Sequence, residues 1–352
     1  MRCWSIWAFP TRTTLWRTRL VIELIELFAG IGSQTQALKN IGVPHRVAAI
    51  SEINQEAERS YRILHGDKAV NLGDIRRIER LPHADIWTYS FPCQDISSAG
   101  KQAGIRDGAH SGLLKEVSRL LQTAEQLPDC LLMENVGSLA QKSFLHEFGR
   151  WLVTLRGLGY TNTWAVLNAK DYGIAQNRER TFCVSQRGER RFRFPSAILQ
   201  THRLGDYLDK EVCARYQIDG EIAWNINPAD CFESVNQPLV IGRLTGGKWD
   251  RARDLARRIY SRYGIAPTLT TGCSGSTIFK VISSDGRSVR SATPIEYWRL
   301  MGWKDAQIQR IIDAKTSPTQ MYKQAGNSIA LPVLEHLFRE LYGGNHEKNS
   351  NG

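Results

Sequence analysis

Paired cysteines and long apolar runs are both missing from this 352-residue chain. Its seven cysteines, at positions 3, 93, 130, 183, 213, 231 and 273, are odd in number and never stand in C-x-x-C spacing. That argues against a disulfide framework and against a structural zinc site, so no metal is expected and a reducing, cytoplasmic compartment is. No apolar stretch nears the ~18 residues of a membrane span, so no membrane partner is expected. Residues 1–20 contain no acidic residue, but four arginines and three tryptophans. They also lack a continuous apolar segment, so they do not read as a secretory signal. They are taken as an unstructured N-terminal extension or a wrongly chosen start, outside the fold. Positive charge is what the chain has in excess. Its formal net charge is +11, which suits a polyanionic partner, nucleic acid first. An apolar share of 42% and a charged share of 23% are those of a globular protein, and the length allows two domains.

The chain is organised around Ser90-Phe91-Pro92-Cys93-Gln94. Asp85 to Phe91 reads as a short buried strand, stopped by Pro92, with a thiol directly after it. Open α/β sheets place their chemistry at such strand ends. Gln94 to Gly112 is a polar, glycine-punctuated loop with the character of a lid. A lone cysteine is usually a small buried hydrophobe, so the rest of the chain must decide.

Val21 to Phe28 is strand-like and runs through Ala29-Gly30-Ile31-Gly32-Ser33 into a helical pattern, Gln34 to Ile41. Strand, glycine turn and helix make a nucleotide-binding start. A second apolar run, His45 to Ile50, leads to Glu52, 22 residues after Gly30, where an acid typically meets ribose hydroxyls. Asp74 could bind a base or its amino group. A dinucleotide and S-adenosylmethionine both fit. Thr35 stands at the third glycine position of G-x-G-x-x-G, so the phosphate fingerprint is incomplete. Ser111 to Gln126 has amphipathic helical spacing. Pro128 to Val136 is a strand apolar enough to be buried on both faces, with Glu134 at its end, and such a carboxylate needs a partner or a task. Trp164 to Ala169 is another strand, followed by Gln176-Asn177-Arg178-Glu179-Arg180. The alternating arginines are either a clamp for an anion or base, or part of a solvated basic edge strand. From residue 187 the pattern loosens. Arg243 to Tyr263 holds seven basic and two acidic residues with Trp249, Tyr260 and Tyr263 among them, which suits DNA contact; the plainer expectation is a charged helix, Arg251 to Tyr260. Thr293 and Pro294 start a helix, Trp298, Leu300 and Met301 are core, and Asn327-Ser328 is a helix-start or turn signal before a last helix ending near Tyr342.

Taken together the motifs resemble those of the DNA (cytosine-5) methyltransferases. Phe28 to Gly32, Pro92-Cys93-Gln94, Glu134-Asn135-Val136, Gln176-x-Arg178-x-Arg180, Arg290 to Met301 and Gln324 to Ser328 occur in the family's order, over nearly the whole chain after residue 20. Ser33, His110 and Ala292 depart from the family's usual glycine, arginine and leucine. The resemblance implies a Rossmann-like α/β S-adenosylmethionine-dependent methyltransferase domain, residues 21–190 plus 311–342. A smaller mixed target-recognition domain, 191–310, would be inserted before the last motif, and 343–352 would be a disordered tail. It implies that Cys93 attacks carbon 6 of a flipped-out cytosine in double-stranded DNA, with Glu134, Arg178 and Arg180 as its catalytic partners. Phe28, Ala29, Gly30, Ile31, Gly32, Glu52, Asp74, Pro92, Asn327 and Ser328 would bind S-adenosyl-L-methionine. Gln94, Ser97, Lys101, Arg243, Lys248, Arg251 and Thr270 would contact DNA. A monomer of a bacterial or phage modification system is expected, with a cognate restriction endonuclease acting separately. A transfer-RNA methyltransferase and an inactive DNA-binding regulator are the alternatives.

Overall fold

The structure is a computed structural model and describes residues 21–91, 112–227, 236–271, 277–284, 286 and 288–343. The expectations for Pro92, Cys93, Gln94, Ser97, Lys101 and His110, for the N-terminal extension and for the tail after 343 lie outside the described residues.

Strand β1 (Ile22–Leu27) is almost wholly buried, and it turns through Phe28–Gly32 into α1 (Ser33–Asn40). Then come β2 (His45–Ser51), α2 (Gln55–His65), β3 (Val70–Asn71) and β4 (Ile86–Tyr89). They are followed by α3 (Leu113–Thr123), β5 (Cys130–Val136), α4 (Lys142–Gly157), β6 (Tyr160–Asn168) and β7 (Glu179–Arg187). The seven strands form one sheet in the order β3-β2-β1-β4-β5-β7-β6. The first five run parallel, and β7 is antiparallel to both its neighbours. The chain moves outward from β1 to β3 and then restarts at β4 on the other side of β1. That reversal opens a crevice beyond the carboxyl ends of β1 and β4. β5 is buried except at its last residue, as a central strand covered on both faces must be. The basic segment is not an edge strand: β7 lies inside the sheet, and β6 is the edge.

A second sheet is built between β7 and the C-terminal helices. Its strands are β8 (Glu221–Trp224), β9 (Val240–Thr245), β10 (Arg258–Tyr260), β11 (Lys280–Ile282) and β12 (Val289–Ser291), ordered β12-β11-β10-β9-β8. Ile241, Leu244, Trp249, Ile259, Ile282 and Val289 make its core. The helix expected over Arg251 to Tyr260 is reduced to one turn, α5 (Asp254–Arg257), before β10. Ile259 and Tyr260 favour a strand, and pairing with both β9 and β11 decides it.

The chain then returns to the first sheet. In α6 (Pro294–Arg299), Thr293 caps the helix, Pro294 opens it and Glu296 closes a capping box. Trp298, Leu300 and Met301 are fully buried. α7 (Asp305–Asp313), α8 (Pro318–Asn327) and α9 (Leu331–Tyr342) follow, and a boundary drawn at 310 falls inside α7. Asn327-Ser328 starts no helix: Asn327 ends α8 and Ser328 caps it. α9 packs on α1, where Asn40 Nδ2 donates to Glu335 Oε1 at 2.7 Å. At the joint between β12 and α6, Arg290 and Glu296 form a bidentate ion pair, 2.9 and 2.7 Å, with side chains 3% and 0% exposed. Among the described residues no helix is long and apolar enough to cross a membrane.

Candidate functional site

The crevice is a cleft of about 1500 Å³ bounded by both sheets and by the end of α8. On one side it is lined by Phe28, Ala29, Gly30, Ile31, Glu52, Asp74, Asn327 and Ser328. Glu52 Oε2 accepts from the Gly30 amide at 2.8 Å and Oε1 from the Asn54 amide at 2.7 Å, so one carboxylate fixes the glycine turn and the start of α2. Gly30 has φ +56, and a methyl group built on it would meet nothing within 4 Å: the turn leaves an open cradle there. Phe28 holds the left-handed conformation at φ 59, a strained value for a side-chain-bearing residue, right at the mouth. Gly32 has another task. It does not line the cleft, and a Cβ there would sit 2.5 Å from His65 Nε2, so this glycine serves packing. Asp74 pairs with Arg76 at 2.6 Å, and that bonding holds its carboxyl below the usual range.

Beneath the turn lies a carboxylate with no motif around it to single it out. Glu26 is fully buried and accepts from the Thr35 amide (3.0 Å), the Thr35 hydroxyl (2.8 Å) and the Tyr61 hydroxyl (2.6 Å). Burial pushes its pKa up despite these bonds. Thr35, at the third position of the glycine fingerprint, sets its hydroxyl on Glu26 where the fingerprint has a glycine for close helix–strand packing.

On the other side, antiparallel β7 begins where parallel β5 ends, with Val136 opposite Arg180. This register brings together two residues 46 apart in sequence: Arg180 Nε is 3.2 Å from Glu134 Oε1, both largely buried on the cleft wall. Arg178 does something different from the paired clamp that its alternation with Arg180 implied. Its guanidinium donates to the carbonyls of Leu269 (3.1 Å), Gly326 (2.8 Å) and Ser328 (2.8 Å), so it ties the start of β7 to both the segment that follows β10 and the end of α8. The two backbones it joins are in intimate contact, since a Cβ on Gly326 would lie 2.5 Å from the Thr270 oxygen. Next to Glu134, the buried Asn135 donates Nδ2 to the Phe91 carbonyl at 3.0 Å, fixing the backbone that leads directly into Pro92-Cys93. Replacing Asn135 with alanine is expected to lower kcat about 10- to 100-fold with cofactor affinity changed less than threefold, because misplacement by about an ångström costs such factors. Single-turnover methylation kinetics alongside cofactor titration measure both.

Of the expected DNA contacts, Thr270 lines the cleft and Arg251 is exposed. Arg243 is paired with Asp254 at 2.6 Å, and Lys248 lies 5.1 Å over the Trp249 ring beside a separate hollow, away from the cleft. Neither is therefore in position on the cleft wall. Among the described cysteines, Cys130 and Cys183 are buried with thiols pushed up by desolvation, Cys183 to about 12, which unsuits them as nucleophiles.

Residues 22–343 match the family model for C-5 cytosine-specific DNA methylases. The chain is 32% identical to the type II methyltransferase M2.ScrFI of Lactococcus lactis subsp. cremoris, over 92% of this chain and 99% of that protein. It is also 32% identical to the orphan methyltransferase M.SssI of Spiroplasma monobiae, over 79% and 71%. Among solved structures, the Entamoeba histolytica methyltransferase EhMeth shares the fold with a TM-score of 0.70 at 18% identity, covering 92% of this chain and 99% of that one. With a sheet that reverses between β1 and β4, an acid and an arginine meeting on its carboxyl edge, and a match over nearly its whole length, the chain belongs to the C-5 cytosine-specific DNA methylases.

Proposed function

We propose that this DNA cytosine-5 methyltransferase acts on a cytosine swung out of double-stranded DNA, with Cys93 as nucleophile, Glu134 and Arg180 holding the ring, and S-adenosylmethionine as methyl donor. The observation that carries the reading is the Glu134–Arg180 pair, 3.2 Å apart on the cleft wall, beside the strand end that leads into Cys93.

The cofactor fits the side of the cleft bearing Gly30 and Glu52. The open cradle at Gly30 admits a ligand against backbone, Glu52 is an acid of the kind that meets ribose hydroxyls, and Asn327 and Ser328 face it from α8. The cytosine enters on the Glu134 side, since carbon 5 is inaccessible while the base is stacked, and extrusion costs a few kcal/mol to be offset by pocket contacts. The Cys93 thiolate adds to carbon 6, forming the S–C6 bond. The electron pair of the 5,6 double bond then spreads onto carbon 5 and toward ring nitrogen 3. Glu134 holds the amino group and shares a proton with nitrogen 3 as charge develops, and Arg180 donates to the base carbonyl. S-adenosylmethionine, when bound, supplies the electrophilic methyl group that carbon 5 takes. Loss of the carbon-5 proton to solvent as the S–C6 bond breaks restores the double bond and returns Cys93 as thiolate. Arg178 acts on neither ring atom; it keeps the cofactor wall and the recognition segment in one arrangement. The second sheet, from β8 to β12, is read as the target-recognition part. The type II relatives support a modification role, in a cell where a separate endonuclease cuts the unmarked sequence.

The test is to incubate the full chain and S-adenosylmethionine with plasmid DNA and with a transfer-RNA pool side by side, then sequence both after bisulfite treatment. Methylcytosine within one short plasmid sequence is the expected result. Marks confined to the RNA would overturn the DNA reading.

A further inference from the structure

At the rim of the cleft, β9, α5 and β10 form a side-chain fork that the chemistry above does not use. Asp254 stands between two arginines: Oδ1 accepts from Arg243 Nε at 2.6 Å, and Oδ2 from Arg258 Nε at 2.7 Å, with Arg258 Nη2 also 2.7 Å away. This bonding, Arg243 first, holds the Asp254 carboxyl below its usual range, so the fork stays ionised at neutral pH. Arg258, Leu255 and Tyr260 line the same cleft as Glu134 and Arg180, whereas Arg243 does not. Tyr260 is buried, and β10 is anchored on both sides by β9 and β11, so the base of the fork is rigid.

We propose that Arg258 reads a guanine of the DNA sequence in which the target cytosine lies. The inference rests on the cleft being the DNA site. A phosphate contact needs net positive charge and tolerates a mobile side chain; a base contact needs a fixed guanidinium plane. Here one carboxylate is shared by two guanidiniums, which sacrifices charge and gains orientation. It grips Arg258 along its Nε–Nη2 side, and the Tyr260 side chain bonds the same guanidinium, so the plane and its Nη end are held in place at the cleft rim. That planar end matches O6 and N7 of guanine, the commonest specific pairing of arginine in the major groove. Leu255, 59% exposed on the same rim, supports bases over phosphates as neighbours: an apolar side chain gains against a base edge or thymine methyl and gains nothing against phosphate oxygens.

A duplex library with randomised positions around a cytosine, methylated by the full chain and bisulfite-sequenced, tests this. In Arg258→Ala, discrimination should fall about 5- to 150-fold at one guanine position and stay unchanged elsewhere. Arg258→Lys should lose the same discrimination while keeping the wild-type salt dependence. Asp254→Asn should weaken it at that same position, because the arginine is released but present. Where methylation is too slow, the same library sorted by binding to Cys93→Ala and to Cys93→Ala/Arg258→Ala reads the preference without turnover. Uniform loss across all sequences with a shallower salt slope would make Arg258 a phosphate contact and overturn the proposal, as would an unaltered sequence preference. If the wild type marked no cytosine at all, the reading of the cleft itself would fall first.

Discussion

Cys93→Ser is expected to reduce methylation by roughly 10⁴-fold or more while DNA and cofactor still bind within about threefold of wild type, the size of loss that follows removal of a covalent nucleophile. A hydroxyl has far too high a pKa to supply an anion near neutral pH, and without addition at carbon 6, carbon 5 does not become nucleophilic. Glu134 and Arg180 would still hold the ring, so binding and chemistry separate in this variant. Duplex DNA carrying 5-fluorocytosine makes the difference visible, because fluorine at carbon 5 blocks the final elimination. The wild type should give a band that survives denaturing electrophoresis, and Cys93→Ser none. Methylation at an undiminished rate in the serine variant would remove covalent catalysis from the mechanism. Of the other described cysteines, Cys130 and Cys183 are sealed in the core and the exposed Cys213 does not line the cleft, so none stands where it could rescue the variant.

The largest loss of stability is expected from Glu296→Ala. The carboxylate accepts two bonds from Arg290, one from the Thr293 amide at 2.7 Å and one from the Asp209 amide at 2.8 Å. Truncation leaves a guanidinium buried without its counter-charge, which costs about 3–5 kcal/mol. For a protein of this size that corresponds to a fall in Tm of about 4–7 °C, with the same loss read from the denaturant midpoint. An apolar pair, Arg290→Met with Glu296→Leu, should recover much of it, because the penalty lies in the stranded charge. A shift below about 1 kcal/mol in the alanine variant would mean that the joint relaxes or admits water, and that the ion pair is not what holds it.

These two sites also show how far the sequence could be read. The start at Thr293-Pro294 follows from local rules, and the helix is there as read. The bidentate grip of Arg290 on Glu296 was hidden, because it depends on β12 and α6 meeting at an angle that six residues of sequence do not define. The same holds in the cleft. Strand ends carrying Glu52 and Glu134 were legible from apolar runs ending in acids. The meeting of Glu134 with Arg180 depends on the direction of β7, and alternation looks the same whichever way a strand runs. Alternation also misled: Arg178 and Arg180 share a parity, yet Arg178 turns to three carbonyls supplied by segments 91 to 150 residues away. The Asp254 fork was masked by expected helix periodicity, which β pairing overrode at Arg258 to Tyr260.

The packing of α9 on α1, sealed by a hydrogen bond across 295 residues, has a consequence for synthesis. Leu38 shares its core cluster with Leu334 and Leu337, so the side of the first helix that meets the last one stays uncovered until that one has left the ribosome. At about 5–20 residues per second that interval is roughly 15–60 s. Throughout it the nascent chain carries a partly bare helix face, the kind of surface that chaperones bind.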